Sequence, residues 1–275
     1  MQYKELRKIL ENKIAPKIFK KPSEFYGIQY GNIDDEKSIK KIMITLDLNL
    51  KAIYYAIKNK VNLIISHHPL LIEPAFNFDK MLINQLNLLS KYPLSIYILN
   101  SSFIAAENGI SQTIADILYL KINNIFEIKN INEINVPIGR ICSPKYYLKK
   151  KNQFHLKDLL KRVITNFNLE IIEYVGNLEK EIKKICIVAG DSENIINLKK
   201  ALNANCDCYI SSNLNHEKAI YANDLGIALI KIPHYSAEFY TLKKLYNFLS
   251  LEFPFDEFLL YESKNPFKYY QKKAI

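Results

Sequence analysis

Apolar runs rich in Ile, Leu and Val, each long enough for a single strand, recur along this chain and alternate with stretches of helical period. Residues 42–46, 61–66, 95–99, 184–189, 207–211 and 227–232 form such runs. Residues 49–58, 80–90, 111–120, 154–167, 194–203, 216–225 and 236–249 read as helices, with stripes such as Ile53, Ala56 and Ile57 at helical spacing. A strand that is apolar at consecutive positions needs cover on both faces, and a helical crossover joins strands in parallel. The alternation predicts an α/β fold with mostly parallel sheets.

The pattern repeats. Lys41-Ile42-Met43-Ile44 leads through a helix to Leu63-Ile64-Ile65-Ser66, and Lys184-Ile185-Cys186-Ile187 leads through a helix to Cys208-Tyr209-Ile210-Ser211. One more strand follows in each half, and the first half carries an additional segment over 69–78. Two similar α/β halves are expected, over residues 1–130 and 131–275, with the aperiodic, asparagine-rich stretch 123–135 at their boundary. A length of 275 residues suits two such units.

The charge balance, 38 basic against 28 acidic residues, leaves a net +10. The lysines are spread along the chain, with short runs only at Lys149–Lys151 and Lys272–Lys273, so a solvated surface is favoured over a nucleic-acid partner. Cys142, Cys186, Cys206 and Cys208 fit neither a disulfide framework nor a CxxC knuckle and read as buried thiols in a reducing compartment. Met1–Arg7 mixes charges into its first turns without a signal-peptide core, and no apolar run reaches membrane-spanning length. A cytoplasmic location is expected.

Histidines mark the chemistry. His67-His68-Pro69 follows the strand Asn62-Leu63-Ile64-Ile65-Ser66, and His234 follows Ile232 and Pro233. The ends of strands in an open α/β sheet are where ligands bind. Glu238 lies four residues beyond His234, on the same face of a helix. Singly, a His–His pair reads as a polar loop, and His234 with Glu238 as an intrahelical pair worth a few tenths of a kcal/mol. Both pairs at equivalent strand ends of one chain favour a zinc- or iron-like divalent cation held by His67, His68, His234 and Glu238. His155 and His216 open helices and read as surface or supporting positions.

These elements resemble the Nif-three-like dinuclear-metal proteins, also labelled GTP cyclohydrolase 1 type 2 homologs. The resemblance rests on Asn62-Leu63-Ile64-Ile65-Ser66-His67-His68-Pro69-Leu70, on Thr45-Leu46-Asp47, on Pro233-His234-Tyr235-Ser236-Ala237-Glu238 and on Gly27-Ile28-Gln29-Tyr30-Gly31. It implies two similar α/β halves with two metals in the cleft between them, and a hexameric ring of identical chains. Some members carry an inserted domain, for which this chain is too short.

The departures bear on what can bind. Where the family pattern has a histidine and, four residues on, a metal-bridging aspartate, this chain has Asn100 and Ile104. Glu238 is then the remaining certain carboxylate, and two dications without a bridge repel strongly in a partly dry cleft. One metal per chain is expected rather than two. Asp47 and Glu107 are possible substitute ligands, Asp47 equally a helix N-cap. Adjacent histidines normally diverge, so His67 and His68 are expected to serve different ions unless the loop turns sharply. The function expected is divalent-metal binding with a degenerate dinuclear site; the alternative is a metal-dependent hydrolase of a small phosphorylated or nucleotide-like substrate. No Gly-rich phosphate cradle, GKS/T motif or HExxH motif is present.

Overall fold

A computed structural model describes residues 1–71, 77–145, 153–190 and 195–270. Lys149–Lys151, Lys272–Lys273, Asn194 and the middle of the 69–78 segment lie outside the described residues.

The first half contains α1 (Tyr3–Ile9), which runs on into a π-helical turn, β1 (Gly27–Tyr30), β2 (Lys41–Thr45), α2 (Leu50–Lys58), β3 (Leu63–Ser66), α3 (Lys80–Leu89), β4 (Ser95–Ile98), α4 (Asn100–Ala105) and α5 (Ile110–Ile117). A hairpin of β5 (Leu120–Lys129) and β6 (Asn135–Pro144) follows. Then come α6 (Leu156–Phe167), β7 (Glu173–Val175), β8 (Ile185–Val188), α7 (Ile196–Asn203), β9 (Cys208–Ser211), α8 (His216–Asp224), β10 (Ala228–Lys231), α9 (His234–Glu252) and β11 (Glu257–Tyr261). One sheet has the order β1-β4-β3-β2-β11 and the other β5-β6-β8-β9-β10-β7. The pairs β2·β3, β3·β4, β2·β11, β8·β9 and β9·β10 are parallel.

The apolar strands are covered on both faces, as their composition demands. Ile42, Ile44, Leu63 and Ile65 of the first sheet and Ile185, Ile187, Ile210 and Ile230 of the second face a shared core. That core is filled by Leu6 of α1, Ile114 of α5, Val163 of α6 and Leu242 of α9. The alternate residues look outward, Met43, Ile64 and Ile96 onto α2 and α3, and Cys186, Tyr209 and Leu229 onto α7 and α8. The helices that lie between the sheets join the halves into one packed body.

The duplication read from the sequence extends to small devices. Asn62 Oδ1, just before β3, accepts from the Lys40 and Lys41 amides at 3.3 and 3.1 Å. Asp207 Oδ2, just before β9, accepts from the Lys183 and Lys184 amides, both at 2.8 Å. Gln2 and His155 each open a helix with a capping box and each form an isolated antiparallel bridge, to Ser38 and Glu181 respectively. The edge strands β1 and β7 pair antiparallel with β4 and β10.

Two expectations need revision. The stretch 123–135 is an edge hairpin whose turn is built on Asn130, its Oδ1 accepting from the Asn132 and Ile134 amides. It looked aperiodic because β5 is covered only in part, with Leu120 and Phe126 its buried residues. Sheet membership also does not follow a cut at residue 130, since β5 lies in the second sheet and β11 returns to the first. Among the described residues no helix is long and apolar enough to cross a membrane.

Asp207→Ala leaves two backbone amides without their acceptor and should lower stability by about 1–3 kcal/mol. Asn62→Ala should cost less, because its bonds are longer and uncharged. Urea midpoints at unchanged m-value test the order; equal midpoints would refute it.

Candidate metal centre

Parallel sheets place strand ends of one polarity along one rim, and here the rims of the two sheets face each other across a cleft. β3 ends at Ser66, and the chain then turns over the tip of β2, the His67 and His68 amides donating to Thr45 O and Leu46 O at 3.1 and 2.9 Å. The Ser66 hydroxyl donates to His68 O at 2.7 Å, which closes the turn. From the other sheet, β10 leads through Pro233 into α9, which carries His234 in its first turn and Glu238 in its second.

The two adjacent histidines converge, contrary to the divergence expected of neighbours. His67 Nε2 lies 3.4 Å from Glu238 Oε1, and His68 Nε2 lies 3.3 Å from Glu238 Oε2. His234 Nε2 is 3.0 Å from the same Oε2 and 3.4 Å from His68 Nε2. The sharp turn at the end of β3 brings the two rings to a centroid separation of 4.6 Å. The side chains of His67 and Glu238 are each only 2% exposed, whereas His68 is 30% and His234 42% exposed. His67, His68 and Glu238 together form a group able to hold a metal ion.

Outer partners orient the rings. His68 Nδ1 lies 2.8 Å from Asp47 Oδ1, and Ser263, just beyond β11, donates its hydroxyl to Asp47 Oδ2 at 2.8 Å. In the neutral ring, a proton on Nδ1 facing Asp47 would leave the Nε2 lone pair free to ligate a metal, the usual carboxylate–histidine support of such a ligand. Ser212 Oγ stands 3.4 Å from His234 Nδ1. Asp47 is therefore neither a ligand nor an N-cap: Asn49 caps α2 by accepting from the Ala52 amide. The sequence carried a signal for Asp47 in its position just past β2, and none for Ser263, which follows a strand that joins the first sheet from the far end of the chain.

Electrostatics confirms how tightly the groups are coupled. Burial would push the Glu238 carboxyl up, but the three imidazoles, His67 foremost, hold it well below the usual carboxylate range. Burial lowers the His67 pKa. For His68 burial acts the same way, yet its hydrogen bonds to Asp47 and Glu238 outweigh it and raise the pKa to about 10. Asp47 is lowered, its burial being overcome by His68 and Ser263. Glu238 Oε2 lies within reach of the His68 and His234 Nε2 atoms, at 3.3 and 3.0 Å, while His67 Nδ1, the ring nitrogen that does not face Glu238, has no hydrogen-bond partner among the described residues. Carboxylate oxygens and the Nε2 atoms of neutral rings crowded at this depth are costly unless a proton or a cation lies among them.

The remaining candidates lie elsewhere. Asn100 donates its side-chain amide to Phe25 O at 3.2 Å, and Ile104 packs over Gly190, so neither joins the cluster. Strand registers also shift the expected equivalence by one residue. Ser66 pairs with Ile98 as Ser211 pairs with Lys231, which makes Ser101, rather than Asn100, the counterpart of His234. Glu107 meets Arg140 through its backbone carbonyl, His216 is exposed, and His155 serves as the N-cap of α6. A cavity of about 510 Å³ opens beside the cluster, with Asp47, His68, Ser212, His234, Tyr235 and the segment 265–269 among its walls.

A family model described as Duf34/NIF3 (NGG1p interacting factor 3) matches residues 1–266. A Methanocaldococcus jannaschii protein named GTP cyclohydrolase 1 type 2 homolog is 29% identical over 254 residues, covering 91% of this chain and 95% of its own. The protein NIF3 homolog of Schizosaccharomyces pombe is 24% identical over 207 residues, 72% of this chain and 70% of its own. Among solved structures, reduced HcgD from Methanocaldococcus jannaschii aligns with a TM-score of 0.77 at 25% identity, over 94% of this chain and 97% of that one. A Bacillus cereus protein related to NIF3 shares the fold, with a TM-score of 0.82 at 14% identity over 98% and 99% of the two chains. The match runs from the first helix past the last strand and takes in both histidine elements, so this chain belongs to the Duf34/NIF3 family.

Proposed function

We propose that this protein binds one zinc- or iron-like divalent cation per chain through His67, His68, His234 and Glu238. The observation that carries this reading is the meeting of three imidazole Nε2 atoms on a carboxylate that is almost wholly buried. Ligands about 2.0–2.1 Å from a tetrahedral zinc ion stand roughly 3.3 Å from one another. The Nε2 atoms of His67, His68 and His234 approach the nearer Glu238 oxygen at 3.4, 3.3 and 3.0 Å, His67 on Oε1 and the other two on Oε2; His67, His68 and Glu238 bring their ligand atoms closest together, and His234 joins them from the side of His68 at 3.4 Å. Charge supports the same stoichiometry: with neutral imidazoles, one dication balances the Asp47 and Glu238 carboxylates. A second ion would find neither a histidine at position 100 nor a carboxylate at position 104.

The cavity beside the cluster favours a second reading, hydrolysis of a small phosphorylated or nucleotide-like substrate. Half-exposed His68 and His234 lie in its wall; Lys268 lines it where an anionic group would be met, and Lys231 lines it paired with Glu173 at 2.8 Å. A bound ion of this type supplies Lewis acidity and acidifies a coordinated water. The chain's own part would be to hold that ion, to fix the His68 ring through Asp47, and to admit the substrate over Tyr235. Turnover assays on a panel of nucleotides and phosphoesters test this reading, and a metal-loaded protein inert to the whole panel would exclude it.

Elemental analysis of the purified protein should give close to one zinc or iron per chain. His67→Ala or Glu238→Gln should remove the metal while the circular-dichroism spectrum is retained. Two ions per chain, or none after reconstitution, would overturn the assignment. Asp47→Asn should weaken metal binding by about 10–100-fold, because the His68 ring loses its orienting carboxylate. Ser263→Ala, one bond further out, should weaken it less. Competition with a chromophoric chelator measures both, and unchanged affinity in Asp47→Asn would remove Asp47 from the site.

A further inference from the structure

Gly27-Ile28-Gln29-Tyr30-Gly31 supplies β1 at the edge of the first sheet, and none of its residues belongs to the metal cluster. Its pairing with β4 slips. Ile28 stands opposite Tyr97 and Tyr30 opposite Ile96, which leaves Gln29 as an extra residue in the ladder. Such a bulge re-aims a side chain and is common at sheet edges beside functional sites. On a regular strand, residues two apart share a face. Here Ile28 packs into the core between the sheets and Tyr30 against the outer cluster beneath α2 and α3. The strand ends at Gly31, where φ is +79° and an added Cβ would fall 2.5 Å from Ser95 Oγ.

The displaced side chain reaches the turn that carries the histidines. Gln29 Oε1 accepts from the Leu70 and Leu71 amides at 2.6 and 3.2 Å, and Gln29 Nε2 donates to Leu71 O at 3.0 Å. A carboxamide offers an acceptor and a donor side by side, so it pairs with this backbone as a neighbouring strand would. Neither amide has another hydrogen-bond partner among the described residues. Leu70 lies two residues past His68, with Pro69 between them and its φ fixed by the ring, so the tether is short and stiff. The opposite end of the turn is held by the tip of β2, and His67 O accepts from the Asn100 amide at 3.0 Å. The two rings depend on these supports unequally. Buried His67 also packs edge-on against Phe103, with centroids 5.8 Å apart. Partly exposed His68 stacks on His234 at 5.4 Å, and its place follows from its backbone and from Asp47.

We propose that Gln29 is a positioning residue of the metal centre: its carboxamide anchors residues 70–71 and thereby holds the His68 ring against Glu238 and His234. The inference rests on the reading of the cluster as a metal site, while the ring arrangement that it explains is present without a metal. Neither isosteric replacement can do the same work. Methionine matches the length and makes none of the three bonds; glutamate keeps the acceptor but sets its second oxygen against Leu71 O.

Gln29→Met should raise the metal Kd about tenfold, with Gln29→Glu between it and the wild type, as measured by chelator competition. In the metal-free protein, NMR should show faster amide exchange at Leu70 and Leu71 in Gln29→Met. The nuclear Overhauser contact between the His68 and His234 rings should be lost there, and that between His67 and Phe103 retained. Asp207→Ala is the control for a general loss of stability, since Asp207 precedes β9 and lies at the far end of that strand from the cleft. It should lower the urea midpoint and leave both the metal Kd and the ring contacts unchanged. An unchanged metal Kd in Gln29→Met, a retained His68–His234 contact, or an equal loss of affinity in Asp207→Ala would each overturn the proposal. A wild-type protein that binds no metal would refute the metal reading instead, and the ring contacts of the metal-free protein would still decide the role of Gln29.

Discussion

A carboxylate withdrawn from water must be matched where it lies, and Glu238 sets that requirement for the whole cleft. It sits in the second turn of α9, almost without solvent contact, and its two oxygens meet rings supplied by both sheets. An unpaired buried carboxylate would protonate or destabilise the chain by several kcal/mol. The imidazoles prevent this, and in doing so they tie the rim of one sheet to that of the other. Removing one ring leaves the charge; removing the charge leaves three rings crowded together without a purpose. The cluster is therefore structural and chemical at once.

Much of the fold was legible because strands buried on both faces have few alternatives. The runs at β2, β3, β4, β8, β9 and β10 are apolar at consecutive positions, and the helices between them carry plain stripes. The β5–β6 hairpin was not legible, since one of its strands lies at an edge and most of its side chains meet solvent or are only half covered. The short α4 also escaped notice, and its sequence has no stripe of its own. β11 was missed for a different reason: nothing local tells a strand which sheet it will join.

The candidate site divides in the same way. His67, His68, His234 and Glu238 could be named because they stand beside strand ends with recognisable spacing. Their convergence could not be derived, and the rule that adjacent side chains diverge pointed the other way until the turn held by Ser66 was seen. The supporting role of Asp47 depends on Ser263, more than two hundred residues distant. Register also corrected the match between halves by one position, from Asn100 to Ser101. Duplicated halves thus need not keep duplicated chemistry: a position that is an imidazole on one side of the molecule is a hydroxyl on the other.

The return of β11 to the first sheet has a bearing on how the molecule is made. Its partner β2 leaves the ribosome more than two hundred residues earlier, and a sheet edge without its neighbour invites pairing with other chains. Throughout most of synthesis the first sheet must wait with that edge open, and only after Tyr261 has emerged can Ser263 reach Asp47. Order of translation therefore makes the cleft one of the last parts of the molecule to mature, and loading with a cation would belong to the finished chain rather than to a nascent half.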